Sequence, residues 1–167
     1  MPRAGGAART GGKGGLLIGV IVVVVLLAGL GVGGHFWSRS SAMSTAQKYM
    51  DAAMGLFKTG QPDAVILKSV LVADQAAKVD QGEGPLFDVS RGAMARMLTM
   101  ITATYAMGEG EIGLTEATVN ATLTGQILGR QIPVAVKIAL VREGLSWKVD
   151  EKESQFMWPG GGGAPQL

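Results

Sequence analysis

Two hydrophobic regimes divide the chain. Between Leu16 and Val32 (LLIGVIVVVVLLAGLGV) no side chain is charged or strongly polar. A run that is apolar on every face does not suit a helix lying on a soluble core. Its 17 residues at about 1.5 Å of rise reach about 26 Å, and extension through His35 and Phe36 to Trp37 covers the roughly 30 Å of a hydrocarbon core. In lipid only a helix satisfies its own backbone, so the valine run is helical there despite its β-propensity. The pattern predicts a transmembrane helix over 16–37.

Beyond residue 42 the apolar positions become periodic. Ala46, Tyr49, Met50, Ala53, Met54 and Phe57 recur at the spacing of one helix face, which predicts an amphipathic helix over 43–58. Ser44 with Gln47 fits a capping box at its start, and Gly60 fits its stop. Pro62, at a first helical position, opens a second helix over about 63–80, with a break near Asp74. The stretch from Gln81 to Pro85 ends it. Ala93, Met94, Met97, Leu98 and Ile101 suit another helix face, giving way to a strand near Met100.

The last third switches to period two. Ala117, Val119, Ala121 and Leu123 alternate with polar residues, as do Val134, Val136, Ile138 and Leu140, and then Leu145, Trp147 and Val149. Such alternation describes an antiparallel sheet with one face on a core and one face wetter. Gly129 and Glu143-Gly144 mark the turns, and Pro133 belongs near a strand start or on an edge. Helices followed by strands predict an α+β domain, its helices packed on one face of the sheet. The expected organisation is a disordered basic tail over 1–15, the membrane helix over 16–37, a linker over 38–42, the soluble domain over 43–155, and a flexible Gly/Pro tail over 156–167.

Charge follows the same division. Residues 1–42 carry Arg3, Arg9, Lys13 and Arg39 without an acid, a net of +4, while the remainder holds 11 basic and 13 acidic side chains, a net of −2. The basic excess therefore belongs to the N-terminal tail and does not describe a nucleic-acid surface. Three basic residues precede the apolar run, against Arg39 and Lys48 shortly after it, which favours a cytoplasmic N-terminus and an exported domain, periplasmic or extracellular. A cleaved signal peptide ending at Ala42 is the competing reading. The apolar run is longer than a usual signal core and Ala42 lies well past its end, so an uncleaved anchor is favoured.

The first helix, the short second helix and a meander closing on LVREGLSWKVDEKES resemble the nuclear-transport-factor-2-like cone, which ketosteroid isomerases share with many small exported domains. The residues that carry the resemblance are Glu143, Gly144, Trp147, Lys148 and Val149. It implies a cone-like domain of helices on a curved antiparallel sheet, and it implies no activity, because that fold hosts many. In layout the chain is also similar to bitopic scaffolds of type IV secretion systems and to accessory proteins of lipid-importing complexes.

Candidate chemistry is sparse. The chain has no cysteine and one histidine, so neither the usual zinc ligand sets nor a Ser-His-Asp triad can be assembled in the soluble domain. His35, Phe36 and Trp37 read as membrane-interface residues. The resemblance implies carboxylate and phenol chemistry in place of histidine; Tyr49 and Tyr105 are the available phenols, with Asp51 and Asp88 as acids. Packing into the core is the stronger reading of Tyr49. The acids Asp74, Asp80, Glu83 and Asp88, and Glu109 with Glu111, read as solvated charges; Gly82/Gly84 and Gly108/Gly110 read as turns. Gly29 with Gly33, and Gly15 with Gly19, have the spacing that lets membrane helices approach closely. No cofactor or metal is expected. The expected function is a non-enzymatic, membrane-anchored accessory or scaffold subunit that presents its domain to a protein partner or larger membrane complex, with possible self-association through the membrane helix. A tethered small-molecule or lipid-binding cone is the alternative, and a tethered enzyme comes third.

Overall fold

The computed structural model describes residues 38–91 and 94–157. The expected membrane helix, the Gly15/Gly19 and Gly29/Gly33 pairs, His35, Phe36 and Trp37 lie outside the described residues, as do both expected flexible tails except residues 156 and 157. Among the described residues no helix is long and apolar enough to cross a membrane.

The first helix, α1, runs through residues 38–59. Five residues expected as a linker, 38–42, are therefore helical, and Ser38 and Ala42 are buried. Ala42, Ala46, Tyr49, Met50 and Ala53 continue one buried stripe, so packing on the sheet holds helical a segment whose serines alone favour a cap or turn. Ser44 is consequently mid-helix and caps nothing. The Gly60 N–H bonds the Leu56 carbonyl at 3.1 Å and closes the helix as expected.

Asp63, not Pro62, caps α2 (Ala64–Val70): its Oδ1 accepts the N–H groups of Val65 and Ile66, each at 3.0 Å. The helix stops at Leu71, three residues before the expected break, and α3 (Ala73–Val79) follows. The cause is tertiary. Leu71 forms a parallel bridge to Val149, and the Val72 N–H bonds the Val149 carbonyl at 3.1 Å, which holds this β-branched stretch extended. Pro85 opens α4 (Pro85–Arg91), and α5 covers Met94–Leu98.

Four strands, β1 (Thr102–Ile112), β2 (Glu116–Ile127), β3 (Arg130–Glu143) and β4 (Ser146–Met157), form one antiparallel meander in sequence order. The expected alternation holds: Ala117, Val119, Ala121, Leu123, Val134, Val136, Ile138, Leu140, Trp147 and Val149 all face the core with α1. Leu145 does not. It occupies the two-residue turn between β3 and β4 and is exposed. Gly108 and Gly110, expected in a turn, lie inside β1 where its register with β2 shifts between Met107 and Gly110. A Cβ on Gly110 would meet the Thr118 carbonyl at 2.9 Å, so close strand approach rather than turning explains that glycine. Pro133 pairs with Thr124 of β2, beyond the last described β4 residue alongside β3 (Met157 opposite Ala135). Among the described residues no β4 residue lies opposite Pro133, so no described partner calls for the N–H that proline lacks.

A second irregularity shapes the site. Lys137 pairs with Gln155, yet Ala139 pairs with Asp150, so β4 carries three more residues than β3 needs across this step. Ser154 stabilises the bulge: its Oγ accepts the Ala139 N–H at 3.1 Å and donates to the Asp150 carbonyl at 2.8 Å. The odd insertion exchanges the two faces of the strand. Trp147 and Val149 point inward before it, Glu151 keeps that parity at its start, and Phe156, opposite Val136, packs against the core after it.

Candidate functional site

At the start of the bulge a carboxylate points into the protein. Glu151 is 6% exposed and continues the inward parity of Trp147 and Val149. Its Oε1 accepts the hydroxyl of Tyr49 at 3.2 Å, joining β4 to the middle of α1. Its Oε2 lies against Gly84, where a Cβ would sit 3.1 Å away; Gly84 also has φ +134°, a conformation that only glycine adopts freely. Burial pushes the Glu151 carboxyl above its ordinary range, an effect that Tyr49 and the Leu86 backbone N–H oppose and the Asp88 charge reinforces. Burial and the adjacent carboxylate both push the Tyr49 phenol well above its usual value.

Gln75, buried on α3, holds the strand in place. Its Nε2 donates to Asp150 Oδ1 at 2.8 Å, and its Oε1 accepts the Glu151 N–H at 2.9 Å. Both ends of one amide are thus spent on two consecutive residues of the bulge, which leaves the Glu151 side chain little freedom to swing outward. Beside it opens a cleft of about 390 Å³ between α3, α4 and β4, lined by Lys78, Glu83, Asp88, Arg91, Glu151 and Lys152 among others. Its walls are charged, so a ligand there would be polar. The chemistry within reach is proton uptake and release by a shielded carboxylate next to cationic and anionic side chains.

Of the candidates named from sequence, Tyr49 is fully buried and bound to a carboxylate, though not to Asp51 or Asp88. Tyr105 donates to Asp51 at 2.5 Å across the opposite side of α1; partial burial, with Asp51 adding to it, takes this phenol to about 12. Asp88 lines the cleft, where Arg91 lies 3.7 Å away. Asp74 pairs with Lys152 at 3.1 Å and Asp80 with Lys68, so these acids are paired surface charges. Among the described residues no group of His, Cys, Asp and Glu is arranged to hold a metal ion. Glu151 and Gln75 escaped sequence reading, and Gly84 was read as a turn residue without its contact to Glu151. The signal for Glu151 was present: it is the next inward position after Trp147 and Val149.

No family model and no curated protein matches the sequence. Two solved structures are similar to it. One is a de novo β-sheet design protein solved by solution NMR, 14% identical over 77% of this chain and 94% of its own, with a TM-score of 0.44. The other is a chain named Rd1NTF2_05 in a substituted form, 11% identical over 67% of this chain and 96% of its own, with a TM-score of 0.42. The assignment to the α+β class rests on the elements and register themselves: helices packed on a four-stranded antiparallel sheet.

Proposed function

We propose that the chain is a non-enzymatic, membrane-anchored accessory or scaffold subunit. A helix over 16–37 crosses the cell membrane with the N-terminus in the cytoplasm, and the cone-like α+β domain is held outside to engage a protein partner within a membrane complex.

One observation carries the reading. The register places the start of β1 and the β2–β3 turn at the same end of the sheet, with Thr102 opposite Gln126, and that end is fringed by exposed apolar side chains. Met97 is 64% exposed, Met100 84% and Leu128 99%, with Ile127 beside them. Leu128 adds a conformational signal. It occupies the two-residue β2–β3 turn with φ 49°, where Asn or Gly costs less and would be better solvated. An exposed leucine in a left-handed turn fits a residue retained for contact. Two further features support the reading. The space between α1 and the sheet is filled by Tyr49, Met50, Leu67, Ile138 and Leu140, which disfavours an apolar ligand cavity of the kind small lipophilic molecules need. The helix α1 includes Ser38 and Ala42, so cleavage after Ala42 would remove packed residues of the domain.

Purification of the full chain from its membranes in mild detergent, with measurement of the particle mass, tests this. The wild type is expected to travel as a complex, and Met100→Asp with Leu128→Asp to travel without its partner while keeping its circular dichroism. A wild type that travels alone, or a variant that keeps its partner, overturns the reading.

A second reading, a tethered domain that binds a polar ligand or performs acid–base chemistry, is favoured by a specific observation: Glu151, with its raised pKa, lines the charged cleft. Tyr49 weighs against catalysis, since it is fully buried and its hydroxyl is committed to Glu151.

A further inference from the structure

The end of the sheet opposite the Met100–Leu128 fringe is where the chain enters the domain. Ser38, the first described residue of α1, accepts a hydrogen bond from Trp147 Nε1 at 3.3 Å. Trp147 pairs with Arg142 beside the β3–β4 turn, and the Arg142 N–H bonds the Thr115 carbonyl at 2.8 Å. The β1–β2 and β3–β4 connections are therefore neighbours at this end, and each bears a leucine that the core does not use. Leu114 is 86% exposed and Leu145 78% exposed. Below them the end is firmly built: the Arg142 guanidinium lies 5.8 Å from the centroid of the Trp147 ring, and the Glu143 carboxylate accepts the Ala73 N–H at 3.3 Å.

We propose that Leu114 and Leu145 form a bilayer-contact surface: two hairpin tips that enter the interfacial layer of the membrane in which the chain is anchored. This rests on the anchored reading above. The occupant follows from the chain upstream. Val32, the end of the apolar run, precedes Ser38 by six residues, a separation that even full extension limits to about 20 Å. The domain is thus joined to any bilayer that holds the run at the end that carries Ser38. Phe36 and Trp37, between the two, are residue types that favour the headgroup layer. Two apolar tips on neighbouring turns suit shallow insertion into an interfacial layer. Charge sets the depth. Arg39 and Arg142 are balanced by Glu116 and Glu143, and burying these carboxylates in hydrocarbon would be costly. Insertion therefore stops at the interface and depends little on anionic lipid.

The absence of cysteine makes the test direct. Leu114→Cys, Leu145→Cys and, as the far-end control, Leu128→Cys are each labelled with an environment-sensitive fluorophore in the full chain. The labelled chains are reconstituted into phosphatidylcholine vesicles with and without phosphatidylglycerol. Labels at positions 114 and 145 are expected to shift to the blue and to be quenched by lipid-borne quenchers several-fold more than the label at 128, equally in both lipid mixtures. Quenching at 114 and 145 no greater than at 128, in a chain that resists alkaline carbonate extraction, overturns this proposal while leaving the anchor standing. Quenching that requires phosphatidylglycerol overturns the apolar mechanism. A chain washed from the vesicles by carbonate overturns the anchored reading, and this proposal with it.

Discussion

Glu151 illustrates how one position can matter to stability without a catalytic assignment. Its folded-state pKa is raised, chiefly by burial, so the folded protein holds the proton more tightly than the unfolded chain does. The stability from this linkage is fully present below the unfolded glutamate pKa and is lost as pH rises through the folded value. The affected window therefore begins in the ordinary carboxylate range and extends upward. Replacement Glu151→Gln keeps the shape and an acceptor for Tyr49 while removing the ionisation. Denaturant unfolding followed across pH should show the wild type losing stability over that window and Glu151→Gln remaining flatter, so that the variant gains on the wild type toward neutral pH. Parallel profiles would mean that Glu151 is not perturbed. The same variant bears on the polar-ligand reading, because it removes the only buried acid lining the cleft.

At the scale of elements, strand alternation and one irregularity together build the site. A β4 without its bulge would continue strict alternation from Trp147 outward, and the three-residue surplus between Asp150 and Gln155 is what puts Glu151 and Phe156 on the same face. Ser154 holds that surplus with one donated and one accepted hydrogen bond. Ser154→Ala should cost about 1–3 kcal/mol, because it leaves the Ala139 N–H without its partner. The loss should be local, appearing as faster hydrogen exchange at Ala139 and Glu151 with the β1–β2 pairing unchanged. The break between α2 and α3 has a similar origin. Helix periodicity runs on through this stretch in sequence, but pairing of Leu71 and Val72 with Val149 competes with the helix and wins.

For the whole molecule, the two ends of the sheet divide the labour in the proposed arrangement. The Ser38 end, with Leu114 and Leu145, faces the bilayer, and the far end, with Met100 and Leu128, meets the partner. The length of α1 sets these apart: 22 residues correspond to about 33 Å of helix. Assembly has a further candidate point within the membrane, where Gly29 and Gly33 would allow close helix approach. Gly29→Ile with Gly33→Ile should weaken self-association in a membrane two-hybrid assay without altering insertion, and an unchanged signal would remove the membrane helix as an assembly element.

Sequence alone determined the α+β class, the inward faces of β2 and β3, the buried stripe of α1 and its stop at Gly60. These follow from local periodicity and from backbone chemistry, which neighbours in the chain suffice to express. It also supplied Tyr49 as a core residue, since a helical stripe states which side is buried. Tertiary structure decided what that stripe meets. The partner of Tyr49 lies 102 positions along the chain, and although strand parity turns Glu151 inward, only the fold brings it against α1. Residues 38–42 became helix for the same reason: Ser38 is held by Trp147, a contact that no local propensity encodes. The exposure of Leu145 was likewise a matter of where the β3–β4 turn fell, since moving that turn by one residue would exchange the strand faces.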